Sequence, residues 1–533
     1  MDASRRVAVI GAGPGGIAAA RWLLASGFEP EVFEATTGLG GQWRWDSPAS
    51  GVWRDMHANT SRVVTRFSDL DHGPGTSVFP HNREVLAYLE DYAARFGVAP
   101  RIRTSSPVEA LERSADGGWT VRWREAGGER SRRFARVVAA SGRFRRPVLP
   151  DIPGLDAFDG AGGVAHTFRY KDPGAYRGLR VLVLGGAISA LEVASDLAMS
   201  GAARVVVAQR RQRYVMPKLV GGAPSDHRRF TRFGALAAES LPPDLLAARM
   251  KAWLTAAVGD PSQYGAPSPA ADIRTGGIAL SQYYLPLVAE GRIAPRPWVV
   301  AISGRTAQFA GGGTEDFDAI VAGTGYQLDL GYLSEDIRAA LDLDARHIDL
   351  SDATFHPGLP GLAFVGFYAQ SGPYFPVLEL QARLIAYSWS GACAAPTDDA
   401  LEAGVAAYRA RRGLPQDQQM HILALRFARL AGVEPDLAKR PDIARALLFG
   451  PLTPASFRLD GPDPMDGAAE EVAAQAALLG AITGPDFTED ERDRLTEVVA
   501  AGDSTATRAL AGVAPRSAAP DARTGRIRRR SRP

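Results

Sequence analysis

Two glycine-rich segments hold most of the chemistry that can be read from this chain. The first is Val7-Ala8-Val9-Ile10-Gly11-Ala12-Gly13-Pro14-Gly15-Gly16, and the second is Val181-Leu182-Val183-Leu184-Gly185-Gly186-Ala187-Ile188-Ser189-Ala190. Each ends a short apolar run and opens a helix, the arrangement that cradles a dinucleotide pyrophosphate. In the first, Gly11 allows the tight turn, Gly13 lets the backbone approach the phosphates, and Gly16 lets helix and strand pack closely. The helix that follows aims its amide-rich N-terminus at their charge. Glu34, at the end of the strand Glu31-Val32-Phe33, is placed to accept hydrogen bonds from ribose hydroxyls. Two loops imply two dinucleotides, and the usual pair is a flavin that does chemistry and a nicotinamide that reduces it.

The second loop departs from the pattern. Gly185 and Gly186 remain, Ala187 and Ala190 replace the second and third glycines, and Ser189 lies in the turn. Its partner strand, Val205 to Gln209, ends in Arg210-Arg211 with no acid for a ribose 2′-hydroxyl. Two guanidinium groups suit a 2′-phosphate, each charge-assisted hydrogen bond contributing roughly 1.5–3 kcal/mol. NADPH is therefore the expected nicotinamide, in preference to the plainer reading of a solvated strand end.

These loops need strands and helices to hold them, and the chain is long enough for two or three domains at 533 residues. The expectation is an α/β protein with two Rossmann-like domains, the second inserted in the first. Residues 1–165 and 327–465 form the first, for FAD. Residues 166–326 form the second, for NADPH, with a polar helical insertion at about 218–291. Residues 466–533 read as a C-terminal helical extension whose basic tail, 515–533, is expected to be disordered. A net charge of +2 gives no general case for nucleic acid, and no apolar run is long enough to span a bilayer. The lone Cys393 excludes an intrachain disulfide and the paired cysteines of disulfide reductases. It makes the cytoplasm the simplest compartment. Arg5-Arg6 before an apolar stretch imitates a twin-arginine signal, but the glycines within that stretch do not fit one. The eight histidines show no ligand spacing, so no metal is expected.

Taken together, the motifs resemble class B flavin-dependent monooxygenases of the flavin-containing monooxygenase type, which oxygenate nitrogen and sulfur. The match runs in family order through Gly11–Gly16, Gly41-Gln42-Trp43, Asn59-Thr60-Ser61, Phe79-Pro80 to Tyr92, and Ala140-Ser141-Gly142. It continues through the second loop, Tyr264-Gly265-Ala266-Pro267, Thr324-Gly325-Tyr326 and Phe449-Gly450-Pro451-Leu452-Thr453-Pro454, covering roughly residues 5–465. The family signature FxGxxxHxxx(F/Y) is read as Phe158, Gly160, His166 and Tyr170, with five residues between Gly160 and His166 where three are expected. Ending in Tyr170, it leans toward the nitrogen/sulfur branch, and His166 and Tyr170 read as structural, marking the interdomain hinge. Gly323 stands where the family usually has alanine.

The resemblance implies FAD reduced by NADPH, capture of dioxygen as a C4a-(hydro)peroxyflavin, and transfer of one oxygen atom to a small-molecule substrate. It puts Gln42, Trp43 and Val108 among the flavin contacts, Thr324 and Gly325 among the cofactor residues, and Asn59 beside the reactive edge. Asn59 also fits a helix N-cap before Arg62-Val63-Val64. The expected reaction is N-oxygenation of a small amine or amino acid, an acidic one such as aspartate included, in bacterial secondary metabolism. Arg62, Lys218, Arg228, Arg229 and Arg296 are the cations available for its carboxylates. The alternatives are S-oxygenation, Baeyer–Villiger oxidation and, more distantly, a redox sensor that has lost oxygenation. A homodimer is one assembly open to such a flavoprotein.

Overall fold

The computed structural model describes residues 3–513 except 116, 415–416, 503–504 and 512. The C-terminal tail 515–533 thus lies outside the described residues. Two five-stranded parallel sheets dominate. The first contains β1 (Arg6–Ile10), β2 (Glu29–Phe33), β3 (Ile102–Arg103), β4 (Arg136–Ala139) and, from much later in the chain, Leu362–Phe364. Its order is Leu362–Phe364, β4, β1, β2, β3, with Ile10 opposite both Phe33 and Ala139. The second contains β5 (Gly163–His166), β6 (Arg180–Leu184), β7 (Arg204–Gln209), β8 (Ile293–Pro297) and β9 (Ala319–Ala322), in the order β8, β7, β6, β9, β5.

The central strands β1 and β6 are nearly continuous apolar runs because helices or other layers cover both sheet faces. On the first sheet, α1 (Pro14–Ala25) packs against the buried helix Phe375–Ser390 on one face. An antiparallel meander of Val108–Arg113, Trp119–Glu125 and Gly128–Phe134 covers the other through Leu111, Trp119, Trp123 and Phe134. In each sheet the chain leaves the glycine-loop strand in one direction and returns on its other side. This topological switch opens a crevice at the strands' carboxyl ends, where ligands bind in such folds.

The two sheet units are joined by paired linkers. Tyr326–Gln327 runs antiparallel to Arg146–Pro147. Tyr326 meets the rings of Phe144, His166 and Phe168. Lys171 donates to the carbonyls of Trp45, Ser50 and Val52 at 3.0, 2.7 and 2.8 Å, tying the entry to the second unit onto a loop of the first. Residues beyond 465 are more than an appendage. Helices Ala468–Ala477 and Glu489–Ala500 place Val472, Leu495 and Val498 in the same core as α1. Among the described residues no helix is long and apolar enough to cross a membrane.

Candidate functional site

The first glycine loop is built so tightly that side chains are excluded. Gly11 has φ of +106°, and a Cβ there would lie 2.6 Å from the Ala140 carbonyl oxygen. A Cβ on Gly16 would collide with the Gly11 carbonyl oxygen. Gly41 crosses over the loop so closely that its Cβ would lie 2.8 Å from the Cα of Gly13. Glu34 is buried, its Oε2 accepting the Ala12 N–H and its Oε1 the Thr36 N–H and hydroxyl, all at 2.8 Å. The carboxylate is thereby fixed against the loop while keeping acceptor capacity for a sugar hydroxyl.

A cavity of about 560 Å³ opens at this loop. Gly11, Gly13, Glu34, Gln42, Trp43 and Val108 line it, and so do Asn59, Met216, Asp226 and Arg229. The Gln42 side chain braces the wall, accepting the Gly51 N–H at 2.6 Å and donating to the Phe144 carbonyl at 2.8 Å. Asn59 caps no helix: the residues after it form turns in which the Val64 and Thr65 N–H groups both bond the Ser61 carbonyl. Instead the Asn59 Oδ1 is buried at the cavity wall without a partner. An orphaned acceptor of this kind beside a glycine cradle fits a large polar cofactor that would complete its hydrogen bonding.

The turn carrying Asn59 is clamped from a distant segment of the chain. The Ser61 N–H donates to Asp226 Oδ2 at 2.6 Å, and its hydroxyl lies 3.0 Å from His227 Nε2. Both clamping residues belong to the short helix Ser225–Arg229. Burial holds the His227 imidazole down at about 4 and pushes the Asp226 carboxyl up to about 6. Asp226 could not be picked out from the sequence, where one acid among many carries no signal.

In the second loop Gly185 has φ of +130°, and a Cβ there would lie 2.6 Å from the Gly323 carbonyl oxygen. Gly186 packs on the Gln209 side chain. The helix Ile188–Met199, on whose first turn Ser189 sits, begins with Ile188 in the wall of the shared cavity. Arg210 is exposed and stacks 4.8 Å from the Trp298 ring, while exposed Arg211 donates to the Thr275 carbonyl at 2.9 Å. Neither has a carboxylate partner among the described residues, so both retain donors for an anion. Thr324 and Gly325 do not reach the cavity; the Thr324 hydroxyl donates to the Val148 carbonyl at 2.5 Å and the Gly325 carbonyl accepts the Val148 N–H at 3.1 Å. His166 caps the turn Thr167–Arg169, accepting the Phe168 N–H at 3.1 Å. The Tyr170 hydroxyl donates to Asp196 at 2.7 Å.

The five candidate cations separate. Arg229 lines the cavity, donates to Gln419 at 3.3 Å and leaves its buried Nε unpartnered. Burial brings its guanidinium down to about 10, which leaves it charged at neutral pH. Lys218 is buried beside the site, its Nζ 3.4 Å from both the Ala58 carbonyl and Glu192. The other three stand outside the cavity wall. Arg62 is turned to the Thr76 carbonyl at 2.7 Å, and Arg228 and Arg296 are exposed. A residue's charge says nothing of which way the chain turns it.

The comparisons with known proteins agree with this geometry. The flavin-binding monooxygenase-like family model matches residues 4–479. A rat dimethylaniline monooxygenase [N-oxide-forming] 2 is 29% identical over 501 residues, covering 88% of this chain and 91% of its own length. Among solved structures, S-allyl-L-cysteine S-oxygenase from Allium sativum is similar with a TM-score of 0.61 at 22% identity, covering 90% of this chain and 98% of that one. Cyclohexanone monooxygenase from Rhodococcus sp. Phi1 bound to NADP+ gives 0.60 at 18% identity, covering 80% and 97%. The family match extends past residue 465 into the helix Ala468–Ala477, in keeping with the place of that helix in the core. The chain belongs to the flavin-binding monooxygenase-like family and is an NADPH-dependent monooxygenase that uses FAD.

Proposed function

We propose that this enzyme N-oxygenates a small amine or amino acid, an acidic amino acid such as aspartate among the candidates, in bacterial secondary metabolism and in a cytoplasmic setting. The observation that carries the substrate class is Arg229, a charged guanidinium in the cavity wall with no carboxylate partner and a free Nε. Asp417 acts on this guanidinium only at a distance, forming no ion pair with it, and a substrate carboxylate would supply a direct partner. FAD reduced by NADPH supplies the oxygen chemistry when bound. The chain's own contribution is positional. The Gly11–Gly16 loop and Glu34 would hold the first dinucleotide, and Arg210 and Arg211 would take the 2′-phosphate of the second. Asn59 would offer its orphaned carbonyl oxygen at the cavity wall, and the Ser61 clamp keeps that turn in register.

A substrate panel tests this reading. Purified enzyme with NADPH and air is offered aspartate, glutamate, small amines, thioethers and cyclic ketones, and products are read by mass spectrometry. The expected result is an N-hydroxylated or further oxidised amino acid, with NADPH consumption stimulated by the same compound. S-oxygenation is the second reading: the garlic neighbour's substrate is an amino acid, and a carboxylate contact at Arg229 would serve a thioether of that kind equally well. Ketone oxidation without amine or thioether oxidation would overturn both.

A further inference from the structure

Asp226 lines the cavity and is 5% exposed, yet no cation neutralises it. The buried carboxylates Asp349 and Glu491 are paired, the first with Arg409 and Arg412 and the second with Arg445, whereas Glu34 and Glu379 are held by two or three hydrogen-bond donors each. Asp226 Oδ2 is taken by the Ser61 N–H, and Oδ1 has no hydrogen-bond partner. The nearest titratable group to Oδ1 is the His227 imidazole, with Nε2 at 3.7 Å. That ring is neutral at working pH and already faces the Ser61 hydroxyl. A buried, unpaired carboxylate in a cavity is expensive to maintain and is where a proton acceptor would be expected. Three residues along the same short helix, Arg229 lines the same cavity with its own unpartnered Nε. Residues three apart on a helix are neighbours on one face. The cavity wall therefore presents one anion and one cation, the complement of an amino acid's ammonium and carboxylate.

We propose that Asp226 receives the proton of the substrate ammonium, and with Arg229 forms a subsite for an α-amino-acid zwitterion. This rests on the N-oxygenation reading. Only an amine with a free electron pair accepts oxygen. One N–H bond of the ammonium breaks, its electron pair stays on nitrogen, and the proton passes to Asp226 Oδ1. The whole reaction then balances as amine, dioxygen, NADPH and one proton giving hydroxylamine, NADP+ and water. Desolvation assists the transfer from both sides, because burial disfavours the carboxylate and the ammonium alike. Among the described residues the His227 imidazole is the one titratable group within ion-pair distance of Asp226, and no charged side chain faces it at that range.

The test compares an amine with a thioether, since sulfur needs no deprotonation. In Asp226→Asn, N-oxygenation at pH 7 should fall at least tenfold more than S-oxygenation of a simple thioether, and should recover as pH rises toward the amine's own pKa. Arg229→Gln should raise KM for an amino acid at least tenfold more than for the same amine without a carboxylate. Should Asp226→Asn fail to retain FAD, the native enzyme serves: amine turnover should decline below about pH 6 while thioether turnover does not follow it. Equal losses on amine and thioether, or no pH recovery, would reduce Asp226 to an anchor for Ser61 and overturn the proposal alone. A native enzyme that oxygenates thioethers but no amine would overturn the proposal together with the N-oxygenation reading.

Discussion

Ala190 and Gly323 face one another across the second glycine loop, with little space between them. A Cβ built on Gly323 would lie 2.8 Å from the Ala190 Cβ and 3.0 Å from its N and Cα. Carbon atoms prefer about 3.5–4.0 Å, and two of the opposing atoms are backbone of the helix that follows the second glycine loop. Gly323→Ala should therefore cost about 1–3 kcal/mol through overpacking. Ala190→Gly alone loses a fully buried methyl and some helix propensity, about 1–2 kcal/mol together. The double variant moves the methyl across the gap and removes the closest of these contacts, so it should cost only about 1 kcal/mol against about 2–5 kcal/mol for the two single variants together, a coupling of about 1–4 kcal/mol. Urea unfolding followed by tryptophan fluorescence measures the four stabilities. Direct titration with NADPH shows whether the loop is displaced: Gly323→Ala should weaken binding and the double variant restore it. Additivity within about 0.5 kcal/mol would refute the reasoning, because two residues that do not share space have nothing to exchange.

Further predictions follow from the same geometry. Replacing Arg210 and Arg211 with Ala should raise KM for NADPH by about tenfold or more for each charge-assisted hydrogen bond removed, with a much smaller effect on NADH; equal effects on both cofactors would place these side chains away from the 2′-phosphate. Asn59→Ala should retain FAD but lower product formed per NADPH consumed, read as hydrogen peroxide released; unchanged coupling would make the asparagine a bystander. His227 is fully buried, and its folded pKa of about 4 lies below the ordinary 6.5. The unfolded chain therefore binds the extra proton first, and stability falls as pH drops from 6.5 toward 4, by on the order of 3 kcal/mol in all. His227→Gln should melt with a flatter acid profile than the native enzyme, and parallel profiles would remove His227 from the account.

What the sequence disclosed was local. Gly11, Gly16 and Gly185 are legible because sterics at a strand-to-helix turn act over a few residues, and the structure finds a carbonyl oxygen where each Cβ would stand. Residues 468–500 were harder to read: their helical periodicity is weak, and nothing local says that Leu495 and Val498 complete a core begun at Val7. Long-range pairings were invisible. Ala190 and Gly323 look unrelated in the sequence until the fold brings them together. Arg229 resembles Arg62 and Arg296 in sequence, and only the fold decides which one faces a cavity. The Asn59 turn illustrates a local rule overridden, since Asn-Thr-Ser is a good helix start, yet Asp226 and His227 from a distant segment hold Ser61 in a turn. That clamp also explains why the buried acid went unnoticed, as its partners lie about 165 residues away.

Turnover under 18O2 tests the central claim most directly. The purified enzyme is mixed with NADPH, labelled dioxygen and the amino acid or amine that best stimulates NADPH oxidation, and product mass is compared with NADPH consumed. The account predicts one labelled oxygen atom on the substrate nitrogen for each NADPH oxidised in the first oxidation step, with the second atom leaving as water. Stoichiometric hydrogen peroxide with no labelled product, across amines, amino acids, thioethers and ketones alike, would contradict it.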